Sequence, residues 1–369
     1  MNCFKSTLRI ILIIIIILNL AAYVFSQQKS YSEEVQIKTW KKWLKSFPLP
    51  KDAIELEVKQ SFPSEGLLEK GIYLWKPIGI ISLLNGNIVV NDQKFCQLFM
   101  FDDQGNFIRK IGRKGQGPSE FLNPYSLSAT SEYLIVGDTK NMRLQFFDLK
   151  GNYIRSFRIF KAYTDIDISK DGLIYAAPLR TNPESPLVDV LDKSGQLLSS
   201  FGEAQFGSDK SNWWMPNRVE ISLNGKDELF VAYRYFPLVC KYSKKGTLLA
   251  KYKLEHGGVM EKKEKINLDR IRDQALGMGM LPVINSIRAS SDGFYILHNY
   301  PRNEILEYDS NGKLQNNYYC EVSSYDTFFK DFSVIENEGK KTFYLLKRNF
   351  ENKIVILRPK KISPYQERR

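Results

Sequence analysis

Residues Asp102–Pro124 read D-D-Q-G-N-F-I-R-K-I-G-R-K-G-Q-G-P-S-E-F-L-N-P. A tight Asp-x-x-Gly turn opens the stretch and a short apolar strand follows. From Ile108 the chain passes through a Gly-rich bend, anchors on Phe121 and stops at Pro124, just before a new strand begins at Tyr125. The opening turn then recurs. D-D-Q-G-N is rewritten as D-L-K-G-N, D-K-S-G-Q, S-K-K-G-T and D-S-N-G-K, with Gly at 105, 151, 195, 246 and 312, spaced by 46, 44, 51 and 66 residues. An apolar strand follows each Gly: Phe107–Ile111, Tyr153–Phe157, Leu197–Phe201, Leu248–Tyr252 and Leu314–Tyr318. Another precedes it: Leu98–Phe101, Leu144–Phe147, Val188–Leu191, Val239–Tyr242 and Ile305–Tyr308.

Working outward, Ile78–Leu84 and Asn87–Asn91 flank Asn85-Gly86, and Asp171-Gly172, Asn224-Gly225 and Asp292-Gly293 mark the matching positions downstream. Asn-Gly between apolar runs predicts a hairpin with a type I′ turn, because both residues tolerate positive φ. Four short strands per unit and a period in the forties predict a β-propeller, one sheet per blade. Five complete meanders occupy residues 78–319, and only three strands remain: Lys330–Ile335, Thr342–Lys347 and Lys353–Leu357. Ile54-Glu55-Leu56-Glu57-Val58 alternates with the period of a half-buried strand and supplies the missing fourth. The expected fold is therefore all-β, a six-bladed β-propeller of four-stranded antiparallel blades. Its N-terminal strand closes the ring and so removes an exposed edge. The long fourth interval holds Gly258–Gly279, where Ile266, Ile271 and Leu276 recur among charges, so one helical insert is expected there.

The pattern I-G-R-K-G-Q-G-P-S-E-F-L-N-P, followed by G-D-T-K-N-M-R-L-Q-F-F-D-L-K-G, resembles NHL-type repeats. More narrowly it resembles the exported six-bladed β-propellers of Bacteroides-type bacteria. The resemblance covers roughly residues 50–358, is specific in the first two blades, and loses the G-x-G-P-x-E-F connector in the fourth to sixth. It implies fold and export rather than an activity. Related propellers such as lactonases and amidating lyases use metal held by carboxylate or His ligands, and some intracellular NHL proteins bind RNA.

The chain has 369 residues, 43% of them hydrophobic, ample for one large all-β domain. Residues 1–26 combine Lys5 and Arg9 with an apolar run from Ile10 to Leu18, and Val24 and Ser26 stand at −3 and −1 before Gln27. That is the pattern of a cleaved export signal. The competing reading is an N-terminal anchor, but Asn19 breaks the run before it reaches the ~20 apolar residues a span needs. Cys3 precedes the apolar run, so a lipoprotein is not expected; the expected location is the periplasm or cell surface. Residues 27–50 form a lead-in whose Val35, Trp40, Trp43, Leu44 and Phe47 suggest an amphipathic helix, ended by Pro48 and Pro50. The propeller spans 51–358, and 359–369 is a basic tail.

Beyond residue 26 only Cys96, Cys240 and Cys320 remain, an odd number lying in or beside strand-like runs, so buried thiols are expected rather than a disulfide scaffold. The formal charge of +12 invites a nucleic-acid reading. Its Lys and Arg residues are scattered over turns and strand ends, so anionic or carbohydrate-like ligands, or a protein partner, are the expected partners. Membrane contact is expected only through residues 1–26, if they stay attached.

Gly112, Gly115 and Gly117 do not make a phosphate loop, because Pro118 and a strand follow where a helix would have to start. They are expected to let the chain pass tightly between blades while Phe121 wedges between sheets. His256 and His298 fall in different blades with no zinc-ligand spacing. Asp92, Asp138 and Asp165 fall near equivalent blade positions and are candidates for a calcium site near the axis, with turn capping the plainer role for Asp92 and Asp138. No cofactor is otherwise expected, and no Ser/His/Asp arrangement assembles. Loops joining second to third strands, and those joining blades, share one face of a propeller. That face should carry Arg113, Lys114, Lys140, Arg180, Trp213, Trp214, Arg234, Tyr235, His298, Tyr300, Arg302 and Arg348. Arg and aromatic side chains are the residues that binding patches favour. The expected function is a binding module whose loop face takes a ligand or protein, rather than an enzyme. The alternative is a metal-dependent propeller hydrolase or lyase with its site on the axis.

Overall fold

The computed structural model describes residues 34–179, 185–205, 215–273, 279–320, 328–348 and 352–360. The chain divides into two units, Met1–Pro48 and Leu49–Arg369. In the first, helix α1 spans residues 34–46, where the amphipathic lead-in was expected, and Trp43 packs on Phe47 at 5.4 Å. The expected signal (1–26) and residues 361–369 of the basic tail lie outside the described residues. Among the described residues no helix is long and apolar enough to cross a membrane.

The second unit opens with β1 (Ile54–Phe62) and a short helix α2 (Glu65–Glu69), which sequence reasoning did not anticipate. Four antiparallel four-stranded sheets follow. The first is β2 (Pro77–Ser82), β3 (Ile88–Asp92), β4 (Gln97–Phe101) and β5 (Phe107–Ile111). The Gly-rich connector forms the two-residue parallel pair β6 (Arg113–Lys114) and β7 (Glu120–Phe121). The second sheet is β8 (Pro124–Ala129), β9 (Tyr133–Asp138), β10 (Arg143–Asp148) and β11 (Tyr153–Arg158). The third is β12 (Tyr163–Ile168), β13 (Ile174–Pro178), β14 (Val188–Leu191) and β15 (Leu197–Phe201). The fourth is β16 (Val219–Leu223), β17 (Leu229–Tyr233), β18 (Leu238–Tyr242) and β19 (Leu248–Lys253).

After helix α3 (Val259–Arg272), the insert expected between Gly258 and Gly279, come β20 (Ser286–Ala289), β21 (Gly293–His298), β22 (Asn303–Asp309) and β23 (Leu314–Cys320). The last strands are β24 (Phe328–Asn337), β25 (Lys340–Arg348) and β26 (Lys353–Pro359). These seven strands and β1 form one eight-stranded sheet, in the order β20-β21-β22-β23-β1-β26-β25-β24. β1 runs antiparallel to β26 from Leu56↔Pro359 to Phe62↔Ile354, so the expected pairing of the first and last segments is present. It also pairs in parallel with β23 at Ile54↔Tyr318 and Glu55↔Tyr319, which joins two meanders into one sheet. The architecture is all-β and propeller-like.

Four of the third-to-fourth strand turns are built on one carboxylate, Asp102, Asp148, Asp192 or Asp309, and the Ser243 hydroxyl takes that place in the fourth sheet. In the first, the Asp102 carboxylate accepts the amides of Gln104 (3.0 Å) and Asn106 (2.7 Å), and Gly105 takes φ +77. The ladder shifts by one residue just before it, at Met100/Phe101, and likewise at Phe146/Phe147, Val190/Leu191, Lys241/Tyr242 and Glu307/Tyr308. This is a type I turn closed by a glycine in a bulge. The Asn85-Gly86 hairpin is of the same kind and not the type I′ turn expected, since only Gly86 (φ +87) is left-handed and its amide bonds Leu83 O at 3.0 Å. At Asn224-Gly225 the Asn side chain instead accepts the amides of Lys226 and Glu228, and Asp227 takes the left-handed site (φ 57).

The repeated glycine has a second role, between sheets. A Cβ on Gly105 would lie 2.6 Å from Phe62 Cδ1, and one on Gly246 2.5 Å from Phe201 Cδ1. At Gly151, Gly195 and Gly312 it would strike Ile111, Phe157 and Tyr252. Ile111, Phe157, Phe201 and Tyr252 each belong to the last strand of the preceding sheet, and Phe62 to β1. Apolar clusters fill the same seams. Phe121 is fully buried in the one between the first two sheets, among Leu98, Ile111, Val136 and Phe147, which is the wedge expected of it. Cys96, Cys240 and Cys320 are buried.

Candidate functional site

The first strands of successive meanders, β2, β8, β12, β16, β20 and β24, lie side by side in a closed cycle. They enclose an axial cavity of about 230 Å³. As inner edges, these strands present amides with no ladder partner. Side chains of the neighbouring strand satisfy them. Asp165 accepts from Ile221 N (2.8 Å), Asp167 from Leu223 N (2.7 Å) and Asp331 from Ile80 N (2.9 Å). Ser222 and Ser333 do the same for Ala289 and Ser82. The cavity wall is therefore polar because the edges it covers are polar.

Charge within the cavity is graded. On the wall, Arg288 of β20 bonds Asp331 Oδ1 (2.7 Å) and the Ile80 carbonyl (3.2 Å), and stacks on Phe332 at 5.5 Å. Burial opposes the Arg288 charge, but Asp331, Asp165 and Asp167 outweigh it. Burial pushes the Asp165 carboxyl well above the usual range, and Glu220 adds to the effect; burial also raises Asp167. At the mouth stand Arg218, Lys330 and Tyr125, with Arg218 Nη2 donating to the Tyr125 hydroxyl at 2.9 Å. Arg234 donates to Glu220 Oε1 (2.8 Å) and to the Asn285 carbonyl (3.2 Å), tying the second-to-third strand turn of the fourth sheet to the mouth. Burial, then Arg234, lowers the Lys330 ammonium to about 8. Ser82 Oγ, Ser126 Oγ, Arg218 Nε and Asn285 Oδ1 are buried in this wall without a partner.

Of the described residues expected on the loop face, only Arg234 reaches the cavity wall, through its bonds to Glu220 and Asn285. Arg113 and Lys114 are exposed on β6, and Arg113 Nε bonds Glu120 at 2.8 Å. Lys140 is exposed in the β9–β10 turn. Tyr235, Tyr300, Arg302 and Arg348 are half-buried: Tyr235 lies in the β17–β18 turn, Tyr300 and Arg302 share the β21–β22 turn, and Arg348 ends β25; the Tyr235 carbonyl accepts from Asn267 of α3. Arg180, Trp213 and Trp214 lie outside the described residues. His298 is a correction: it is fully buried, because α3 covers it. Its Nδ1 lies 2.7 Å from the Val283 carbonyl, which can only accept, so Nε2 offers its lone pair to Lys263 Nζ at 3.5 Å. Burial, Lys263 and His256 hold His298 far below the ordinary imidazole range. The helix docks through its buried Val259, Met260, Lys263 and Asn267, with Ile271 packed partly buried against the core; Lys263 bonds the carbonyls of Pro282 and Asn299, and Asn267 those of Tyr235 and Leu281.

The loop face does carry aromatics, at positions sequence reasoning passed over. Tyr73, Trp75 and Phe95 form one cluster beside β2, with Trp75 54% exposed and Lys94 5.3 Å above its ring. Asp92 and Asp138 lie at strand ends away from the cavity. Asp92 accepts four amides, from Trp75, Lys76, Lys94 and Phe95, and Asp138 accepts those of Leu122 and Asn123. Both cap turns, and of the three metal candidates only Asp165 lines the axis. Among the described residues no group of three or more His, Cys, Asp or Glu is placed to hold a metal ion. The Gly-rich connector is held as structure: Glu120 accepts from Gly117 N (2.8 Å), and Arg143 donates to the carbonyls of Gln116, Gly117 and Glu120.

The signal for the cavity residues was present in the strands themselves. S-L-S (126–128), D-I-D (165–167), E-I-S (220–222), S-I-R (286–288) and D-F-S (331–333) alternate polar with apolar on the first strand of successive meanders. An inner strand packs its apolar positions into the seams and turns the alternate ones to the axis.

Among solved structures, a Bacteroides fragilis protein described as exported is similar over 85% of this chain and 97% of its own, at 14% identity and TM-score 0.56. A Bacteroides vulgatus member of the duf4221 family is similar over 84% of this chain and 99% of its own, at 13% identity and TM-score 0.53. A virginiamycin B lyase of Staphylococcus aureus is more distant, at 11% identity over 85% of this chain and 97% of its own and TM-score 0.49, and carries no argument. These likenesses concern the fold alone. No curated protein matches the chain in sequence. A domain of unknown function, DUF4934, matches residues 73–279, from the aromatic cluster beside β2 to the end of the helical insert. That match spans more than half of the chain, which therefore belongs to the DUF4934 family.

Proposed function

We propose that this chain is an exported ligand-binding module, a six-bladed propeller of the NHL type whose binding site is the mouth of the axial cavity. The count of six is supported by the six first strands around the cavity and by Phe62, which meets Gly105 as Phe157 meets Gly195. On this reading β1 is the fourth strand of the last blade, and the eight-stranded sheet is two blades. Export rests on residues 1–26, and the periplasm or cell surface follows from it. The observation that carries the binding role is the set of buried polar atoms without partners, Arg218 Nε and Asn285 Oδ1 above all. Native interiors rarely leave such atoms unsatisfied, and a cavity of this size far exceeds the about 10–15 Å³ that one water needs. Trp75 and Tyr73 on the same face would extend the contact to a larger ligand or a protein.

The test is a thermal-shift panel of sugars, amino acids, nucleosides and organic acids on the protein and on Asn285→Leu, which replaces the unpartnered acceptor with an apolar side chain. At least one compound should stabilise the parent and lose its effect in the variant. No stabilising compound, or an effect that survives in Asn285→Leu, overturns the reading. The alternative, a metal-dependent hydrolase or lyase on the axis, rests on Asp165. It predicts a stoichiometric metal in the purified protein and a chelator effect that Asp165→Asn abolishes.

A further inference from the structure

We infer that the cavity mouth is an oxyanion subsite, in which Arg218, Lys330 and the Tyr125 hydroxyl would together hold the carboxylate, sulfate or phosphate head of a small organic ligand. The inference rests on the binding role proposed above and adds the chemistry of what is bound.

Three observations support it. Around Lys330, three cations (Arg218, Arg234 and its own ammonium) stand against Glu220 and Asp331. Glu220 Oε1 is already bonded by Arg234, and Asp331 is committed to Arg288, Ser286 and the Ile80 amide. Second, donors are left over. Arg218 Nε is buried without an acceptor, and among the described residues Lys330 has neither a hydrogen bond nor an ion pair. Tyr125 accepts from Arg218, which leaves its own proton free to donate toward the same point. Third, the Lys330 ammonium is depressed by burial, with Arg234 and Arg218 adding to the effect and outweighing Glu220 and Asp331, as expected where like charges crowd one pocket. A planar or tetrahedral oxyanion supplies several acceptors at once and suits a guanidinium beside an ammonium. The same wall offers the unpartnered Ser126 hydroxyl and Asn285 Oδ1, so the body of the ligand should carry hydroxyl groups.

The experiment is calorimetric titration at constant ionic strength with sulfate, acetate, glucuronate and glucose, on the parent protein, Lys330→Met and Arg218→Met. Saturable binding of at least one of the three anions, about tenfold or more weaker in either variant that folds, is the expected result. Sulfate or acetate binding alone would assign the subsite to a free anion, and glucuronate binding more tightly than both would assign it to an organic acid. In parallel, the titration of Lys330 followed by NMR on labelled lysine should start near 8 and rise by about one unit at saturating sulfate. Absence of anion binding to the parent, or equal affinity in both folded variants, overturns the inference. If the anions fail while a neutral compound binds and is lost in Asn285→Leu, only the oxyanion inference falls; if nothing binds, the binding role falls with it.

Discussion

Replacing the repeat glycine tests how neighbouring sheets are held together. Gly86 and Gly105 share a left-handed backbone, φ +87 and +77, but differ in surroundings. A Cβ on Gly86 meets nothing within 4 Å, whereas one on Gly105 would sit 2.6 Å from Phe62 Cδ1 and 2.9 Å from its Cγ. Alanine in the left-handed region costs about 1–2 kcal/mol at either site. At Gly105 it must also displace a fully buried ring that packs on Phe101 at 4.9 Å, and overpacking of that kind adds about 1–3 kcal/mol. Gly105→Ala should therefore cost about 2–5 kcal/mol in urea unfolding and Gly86→Ala about 1–2. Shortening the ring by Phe62→Leu should bring the Gly105→Ala penalty down toward that of Gly86→Ala, a coupling of about 1 kcal/mol or more between residues in contact. Losses at Gly86 and Gly105 that agree within about 0.5 kcal/mol would refute the argument that Gly105 serves as the seat for β1.

Three further outcomes follow from the same structure. Asp331→Ala removes the acceptor of Ile80 N, Ser286 Oγ and Arg288 and should cost about 2–4 kcal/mol by chemical unfolding, while Ser128→Ala, which removes one hydroxyl bonded to Asp167, should cost about 1. Burial lowers Lys263 to about 7, and burial with Arg234 lowers Lys330 to about 8, both from 10.5. Above those values the unfolded chain holds more protons than the folded one, so stability should rise from pH 7 to about 8.5, and Lys263→Met should flatten the rise; a profile falling over that window contradicts the burial of these amines. Cys96, Cys240 and Cys320 are buried, and burial raises the Cys96 and Cys240 thiols, so a thiol reagent should modify them only in denaturant; rapid labelling of the folded protein would contradict the packing.

The repeat was legible because it is local. A turn such as D-x-x-G needs its carboxylate within four residues and a glycine at one position, so Asp102 and Gly105 announce it without any tertiary contact. The pairing of β1 with β26 was also inferable, since five complete meanders left one strand missing at one end and one unassigned at the other. The Asn85-Gly86 turn type was misjudged because Leu83 pairs with Asn87, so Leu84 joins the loop and only Gly86 takes the left-handed site.

By itself, then, the sequence determined the all-β repeat, its register and the strand that closes it. The tertiary structure alone decided which side chains meet. Lys263 and Asn267 look like part of a solvated charged run, yet they are the buried prongs of α3, because free loop carbonyls lie beneath them. His298 looks like a loop residue and is sealed under that helix. Arg218, Lys330 and Tyr125 come from three different sheets and share one cavity mouth only when the first strands close their cycle. Long-range charge and burial depend on that closure, and no spacing along the chain encodes it.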